Sequence, residues 1–461
     1  MTTVTCVITA HDHREFAVQA VASALAQDYP AELLDVVIVD DGSQDGTGEL
    51  LEATFGDEPR VTVLRQENRG FVAAMNRVIA AAQGELIGIL DGDDLWPPDR
   101  IRRQVALLHA RPDVGLVHGD MEIVDAGGHT LHPSYFSYSG FDKVPRGRIL
   151  GTLLRQNVVA GGASLFRASL RDRILPIPDE LVYPDWQIAA RVAEVAAIEH
   201  IDGVANRYRS HGGNMGLGGT GAKFFADMRH NVRITRWMLR HLEIASVAPG
   251  ELVAAAQAML GNATRAAAEL GCWARDVLPV TDDDRDDAAR ASASAREADR
   301  AADRATALVA RVRALAADPW DGAALADLLI AAARTDPTLV RARAPETRGV
   351  GVLAFADELL AAPELLEAYA AAVSDTDDVT LVIHAPADQA AQATAALGAL
   401  AEATGLDGCD APDMLLIASG DEAELLAAPI RFVYSRRRPP AAYQSLTRLD
   451  EHGLGVLSRA A

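Results

Sequence analysis

Residues 86–94 read Leu86-Ile87-Gly88-Ile89-Leu90-Asp91-Gly92-Asp93-Asp94, an apolar run too short for a helix that ends in three carboxylates around one glycine. A continuous apolar run of this length fits a strand buried on both faces, as in parallel sheets covered by helices. The pattern recurs upstream: residues 36–39 lead into Asp40-Asp41-Gly42-Ser43, and residues 4–9 lead into Ala10-His11-Asp12. Residues 61–64 and 114–118 are two more strand-length runs. Between the first two strands, Phe16, Ala17, Ala20, Val21, Ala24 and Leu25 recur at helical spacing, as expected of a crossover helix. The amino-terminal part is therefore read as a parallel α/β sheet that gathers its polar clusters at the carboxyl edge of the strands, where such sheets bind ligands.

Composition bounds the rest. The chain has 461 residues, 49% hydrophobic and 23% charged, with a mean hydropathy of +0.05, so it is long enough for about three domains. Cys6, Cys272 and Cys409 are scattered and odd in number, which fits neither a disulfide framework nor a zinc site. A net charge of -22 without a long Lys/Arg run argues against a nucleic-acid partner. His11 and Asp12 interrupt the first apolar run, which has no basic segment ahead of it, so no signal peptide is expected. No uncharged apolar stretch reaches the ~18 residues of a membrane span. The expectation is a cytoplasmic protein without a transmembrane segment, with the inner membrane face as a peripheral location.

Three regions are expected: residues 1–222 as the first α/β domain, 223–345 as a helical region, and 346–461 as a small α/β domain. In the second, Phe225, Met228, Val232, Thr235, Leu239 and Leu242 form a helical stripe that reads as core packing or as a homo-oligomer face. In the third, residues 379–384, 414–417 and 430–434 read as strands between helices.

The chemistry concentrates in two clusters. A carboxylate fixed at a strand end, as at Asp40 and Asp41, accepts hydrogen bonds from a nucleobase imide or a ribose hydroxyl. Asp91 and Asp93, two residues apart around Gly92, suit a hard divalent cation that also takes substrate phosphates, which Mg2+ and Mn2+ both do. Gly92 is read as letting the backbone approach a bulky ligand. Helix capping near Arg100 is the plainer alternative for Asp94.

These residues carry a family resemblance. The order and spacing of residues 4–12, of Asp40-Asp41-Gly42-Ser43, of Glu67-Asn68-Arg69-Gly70 with Asn76, and of Leu90-Asp91-Gly92-Asp93-Asp94 resemble the nucleotide-sugar half of family-2 glycosyltransferases of the GT-A fold. Pro184-Asp185-Trp186 and Tyr208-Arg209-Ser210-His211 resemble that family's acceptor-side motifs, so the likeness covers residues 1–220. His11 departs from the family, which more often has an aromatic or Tyr-Asn pair there. The resemblance implies an inverting, metal-dependent enzyme moving a sugar from a nucleoside-diphosphate sugar, expected to be UDP-linked, to a saccharide or lipid-linked acceptor. It implies donor contacts from Thr9, Ala10, His11, Asp40, Asp41, Asn68, Arg69, Asp91 and Gly92. Mn2+ or Mg2+ would be held by Asp93, with His211 either completing the metal shell or merely hydrogen-bonded. Asp185 is implied as the general base, with a helix N-cap as its structural alternative.

Other readings stay beside this one. A peptide or natural-product acceptor presented by the helical tail is the second choice, and a non-catalytic binding or scaffold protein would be favoured if Asp185 lay far from Asp93. A nucleotidyltransferase lacks its Lys-containing phosphate loop here. The glycine-rich residues 212–221 are expected to act as a lid over the donor. His11-Asp12-His13 looks like a metal cluster, but alternate residues leaving a strand diverge, so His13 is expected to begin a solvated helix. The acidic residues 282–287 are expected to open a helix, and Asn262-Ala263-Thr264 to be an idle sequon.

Overall fold

The computed structural model describes residues 2–141, 143–211, 222–270, 277–301, 303–335, 350–373, 379–385, 389–404, 413–418, 430–436 and 447–449. The glycine-rich residues 212–221, Cys272 and Cys409 lie outside the described residues. The chain forms two compact units, Met1–Asn262 and Ala263–Ala461.

The first unit begins with four parallel strands, β1 (Val4–Ala10), β2 (Leu34–Asp41), β3 (Val61–Gln66) and β4 (Leu86–Asp91). Helices α1 (Ala17–Leu25), α2 (Thr47–Phe55) and α3 (Phe71–Ala81) connect them. Every residue of β1 is buried, as its unbroken apolar run requires of a central strand covered on both faces. Parallel register sets Thr9 beside Asp91 and Ala10 beside Asp40, so the polar strand ends arrive together at one edge.

Beyond β4 the chain continues through α4 (Arg100–Ala110), β5 (Val114–Val124), β6 (Thr130–His132) and the short helices α5 (Tyr135–Tyr138) and α6 (Leu150–Leu153). Then follow β7 (Leu165–Arg167), α7 (Arg171–Ile174), α8 (Pro184–Ala193) and β8 (Ala197–Arg209). The sheet order is β3-β2-β1-β4-β7-β5-β6, with β8 also paired to β5. β7 runs antiparallel to both β4 and β5, so the complete sheet is mixed, while the strands expected to be parallel, β1 to β5, all run the same way. A three-residue strand is too short to show a period in sequence.

Two long helices follow, α9 (Ala222–His241) and α10 (Pro249–Leu270), and the first unit ends within the second of them, at Asn262. Val232, Thr235, Leu239 and Leu242 of the apolar stripe are buried, and α9 packs against α8, so these four residues belong to the core.

The second unit starts with helices Asp282–Arg300, Arg304–Ala317 and Gly322–Thr335. The acidic run opens the first of these, where Thr281 and Asp284 form a reciprocal capping box. Five parallel strands follow, β9 (Val350–Phe355), β10 (Val379–Ala385), β11 (Asp413–Ala418), β12 (Ile430–Tyr434) and β13 (Thr447–Leu449), in the order β11-β10-β9-β12-β13. Val352, Tyr369, Leu381 and Tyr434 lie in its core. Among the described residues, no helix is long and apolar enough to cross a membrane.

Candidate active site

The carboxyl edge of β1, β2 and β4 opens into a cavity of about 920 Å³. Of the residues expected at the site, Thr9, Ala10, His11, Asp41, Asn68, Asp91, Gly92, Asp93 and Asp185 line it. Asp40, Arg69 and His211 are not among its lining residues. Asp40 lies on the opposite face of β2 from Asp41, buried, where it accepts hydrogen bonds from the Ser43 amide at 3.3 Å and the Ser43 hydroxyl, and faces Arg65 at 3.6 Å. Alternation along a strand sends neighbouring carboxylates to opposite faces, so only one of this pair reaches the cavity. Arg69 contributes its backbone instead, its amide donating to Asp41 Oδ1 at 2.9 Å.

Asp41 organises the loop after β3. It accepts from Gln66 Nε2 at 2.7 Å and from the amides of Arg69 and Gly70, both at 2.9 Å. His11 is wedged beside it, with Nδ1 2.8 Å from the Asp41 carbonyl oxygen and Nε2 3.2 Å from Asn68 Nδ2. Gly42, at φ +70°, passes so close that a Cβ there would stand 2.4 Å from the Asn68 amide nitrogen.

His13 corrects the sequence reading, because it too lines the cavity, with Nε2 3.9 Å from Asp93 Oδ2. The strand ends at Ala10, and Asp12 takes the left-handed conformation at φ 52°. Asp12 is tied to the loop after β2 by the Ser43 hydroxyl at 2.9 Å and the Gln44 amide at 2.7 Å. The alternation rule therefore does not apply beyond Ala10, and both histidines turn to the same side. Burial pushes the His13 imidazole pKa down, against the opposing pull of Asp93, which favours the neutral ring.

The three aspartates after β4 separate into different environments. Asp93 meets His211 Nε2 at 2.9 Å. Asp94 is buried and accepts from Asn206 Nδ2 at 2.7 Å and the Arg209 amide at 2.8 Å, so it fastens β8 rather than capping α4. That helix is held instead by Gln27, whose Oε1 accepts from the Ile101 amide at 3.1 Å. Asp91 faces the cavity, and burial, then the charges of Asp93 and Asp185, push its carboxyl up to about 7. A Cβ on Gly92 would stand 2.6 Å from the Thr9 carbonyl oxygen, so glycine is required there by β1 itself, not only by a ligand. Arg209 fixes the turn, with Nε donating to the Asp93 carbonyl at 2.8 Å and the guanidinium lying 4.6 Å over the Phe16 ring.

Asp185 is the second residue of α8, after Pro184, and accepts from Asn157 Nδ2 at 3.0 Å. Burial raises its pKa above the usual carboxylate range, opposed by the Trp186 amide and by Asn157. The turn Gly161–Ala163 separates it from Asp91: a Cβ on Gly161 would meet Asp185 Cβ at 2.6 Å, and one on Gly162 would meet Asp91 Oδ2 at 3.1 Å. This turn is fastened from below by Arg100, fully buried, which donates to the carbonyls of Gly162 at 2.6 Å and Ser164 at 2.8 Å. Asn231 and Asn262, from α9 and α10, add two amides to the cavity wall, so the helices after the sheet share in forming it. Asn157, the Gly161-Gly162 pair and the two asparagines carry no local sequence signal, because only the folded chain brings them to the strand ends.

A cavity walled by Asp91, Asp93 and Asp185 in a partly desolvated setting attracts a cation. Asp93 and His211 supply an oxygen and a nitrogen donor side by side, which fits a divalent ion shared with substrate phosphates.

The chain is similar to several known proteins. Succinoglycan biosynthesis protein ExoO of Rhizobium meliloti is 35% identical over 144 residues, 31% of this chain and 39% of that protein. Chondroitin synthase of Escherichia coli is 27% identical over 218 residues, 46% of this chain and 29% of that protein. The chain thus spans well under half the length of these relatives. A solved structure of mannosyltransferase PcManGT from Pyrobaculum calidifontis, in complex with GDP-Man and Mn2+, aligns over 69% of this chain and 88% of that one, with a TM-score of 0.44 and 21% identity. Residues 5–173 match the model described as glycosyl transferase family 2, so this amino-terminal segment is similar to that family.

Proposed function

We propose that the chain is an inverting, metal-dependent glycosyltransferase that moves a sugar from a nucleoside diphosphate, expected to be UDP, to a hydroxyl of a glycan or lipid-linked saccharide. The observation that carries this reading is that Asp185 and the pair Asp91 and Asp93 face one cavity across the Gly161–Ala163 turn. The scaffold reading is disfavoured because Asp185 and Asp93 line the same cavity.

The division of labour follows from the surroundings of each group. Thr9, His11, Asp41 and Asp91, at the strand ends, grip the nucleoside, and Asn68 with the backbone of Arg69 and Gly70 closes that side. Asp93 and His211 would hold Mn2+ or Mg2+, which neutralises charge on the departing diphosphate. Asp185 takes the proton from the acceptor hydroxyl; its raised pKa makes it a stronger base than a solvated carboxylate, while Asn157 fixes its direction. The acceptor then attacks the anomeric carbon, the bond to the diphosphate breaks with its electron pair, and the configuration inverts.

The test is a panel of nucleotide sugars with Mn2+, read as slow donor hydrolysis, in the parent and in Asp185→Asn. The variant is expected to bind donor normally while transfer falls by a factor on the order of 10² or more, because an amide cannot accept the proton. Near-normal turnover would assign the base elsewhere.

A further inference from the structure

The polar side chains of the cavity fall into two groups. Those at the strand ends and beside α8 are tied within the protein: Asp41 to Gln66 and two backbone amides, Asn68 to His11, Asp93 to His211, and Asp185 to Asn157. A second group is not. Arg155, Gln156, Asn231 and Asn262 also line the cavity, and among the described residues none of their side-chain nitrogens donates a hydrogen bond to the protein. Each of these side chains carries N–H donors, and the guanidinium has donors alone.

This second group sits with Asp185. Arg155 and Gln156 directly precede Asn157, which holds that aspartate, and Tyr183 lies two residues before it. The Tyr183 ring stands edge to face with His230, centroids 6.1 Å apart, and Asn231 is the next residue of α9. Asn262 joins the same cavity from α10. The Gly161–Ala163 turn lies between Asp185 and Asp91, so Arg155 and Asn231 are grouped with Asp185 rather than with the strand ends.

Charge makes the arrangement selective. Asp41, Asp91, Asp93 and Asp185 all line the cavity, and Arg155 is the sole arginine or lysine among its described lining residues. Four carboxylates would repel an anion from Asp185, and a neutral sugar has no need of a guanidinium. A guanidinium presents a planar fork that meets carboxylate or phosphate oxygens through two parallel charge-assisted hydrogen bonds.

We infer that Arg155, with the amides of Asn231 and Asn262, forms an anion subsite beside Asp185, and that the acceptor is therefore a saccharide carrying a carboxylate or a phosphate. The inference rests on reading the cavity as a glycosyltransferase site and narrows the acceptor class for it. The guanidinium holds the anionic group, the amides take its remaining oxygen or a ring hydroxyl, and a neighbouring hydroxyl is thereby set against Asp185. A neutral saccharide leaves the guanidinium unpaired and loses this registration.

The experiment is a ligand-observed NMR titration of the full chain in EDTA, which removes ion-bridged binding, with methyl β-D-glucuronide, glucose-6-phosphate and neutral methyl β-D-glucoside. The same titrations are made on Arg155→Gln and Arg155→Lys. At least one anionic sugar is expected to bind the parent about tenfold or more tightly than the glucoside, and the one that does identifies carboxylate or phosphate as the source. The advantage should fall to about twofold or less in Arg155→Gln and persist in part in Arg155→Lys, which keeps the charge without the fork. Equal binding of all three probes by the parent would overturn the inference. An advantage that survives in an Arg155→Gln protein melting like the parent would overturn it too. An anion preference that depends on Arg155 in a chain that hydrolyses no nucleotide sugar would support the subsite and remove the transferase reading, whereas donor hydrolysis by a parent without the preference would do the reverse.

Discussion

At the scale of single residues, the site is a set of carboxylates whose roles are divided by their surroundings. Asp91 gives the sharpest consequence, because its carboxyl is pushed up to about 7 by burial and by Asp93 and Asp185. In an unfolded chain the same group titrates near 4. As pH rises from about 4 to about 7 the unfolded chain gives up this proton while the folded chain keeps it, so Asp91 lowers stability progressively across that window and the loss persists above it. Asp91→Asn, which keeps the shape without the charge, should therefore melt higher than the parent at pH 8 in EDTA, with the gap closing toward pH 4.5. A gap independent of pH would show that another group titrates. Asp94 illustrates the opposite use of the same residue type, since its hydrogen bonds from Asn206 and Arg209 make it a fastener for β8.

At the scale of elements, the Gly161–Ala163 turn is the spacer between the two ends of the reaction. Gly161→Ala would place a methyl 2.6 Å from Asp185 Cβ, which only a shift of α8 or of the turn can relieve. The expected result is a loss of transfer on the order of 10² with little change in donor affinity, since a displacement of about 1 Å at a reacting group has that effect. Unaltered turnover would mean that Asp185 need not be fixed by this turn. Arg100 supports the same element from inside the sheet, and burial lowers its pKa to about 9 while its hydrogen bonds go to backbone carbonyls. Arg100→Ala leaves those buried acceptors without partners and should cost about 2–4 kcal/mol of stability, read by denaturant unfolding. A change below about 0.5 kcal/mol, the range of ordinary surface substitutions, would show that the turn is held by other contacts.

At the scale of the molecule, every described lining residue of the cavity lies within the first unit, the last being Asn262. A chain ending at residue 270, where α10 ends, is expected to keep donor binding and donor hydrolysis, measured against the full chain with the same nucleotide sugar and Mn2+. Loss of both in a folded truncation would give the second unit a part in the donor site. α9 and α10 contribute to both core and cavity: Val232, Thr235, Leu239 and Leu242 are buried within this chain, and Asn231 and Asn262 reach the cavity from the same two helices.

By itself the sequence determined the first five strands of the first unit and the edge at which their chemistry collects. Buried parallel strands must be apolar throughout, and a carboxylate where each run stops is visible without any partner. The runs before Asp40-Asp41 and Asp91-Gly92-Asp93 were legible for that reason, as were the stripe of α9 and the acidic opening of the helix Asp282–Arg300. Tertiary structure alone decided what depends on distant segments meeting: the reversed direction of β7, which of Asp40 and Asp41 faces the cavity, the buried fastening by Asp94 and Arg100, and the approach of Asn157 to Asp185. His13 belongs with these, because one left-handed residue at Asp12, stabilised by Ser43 and Gln44 from the next loop, cancels the alternation on which the sequence reading relied. Periodicity is a local property of the backbone, whereas a side chain's neighbours are set by contacts between segments far apart in the chain.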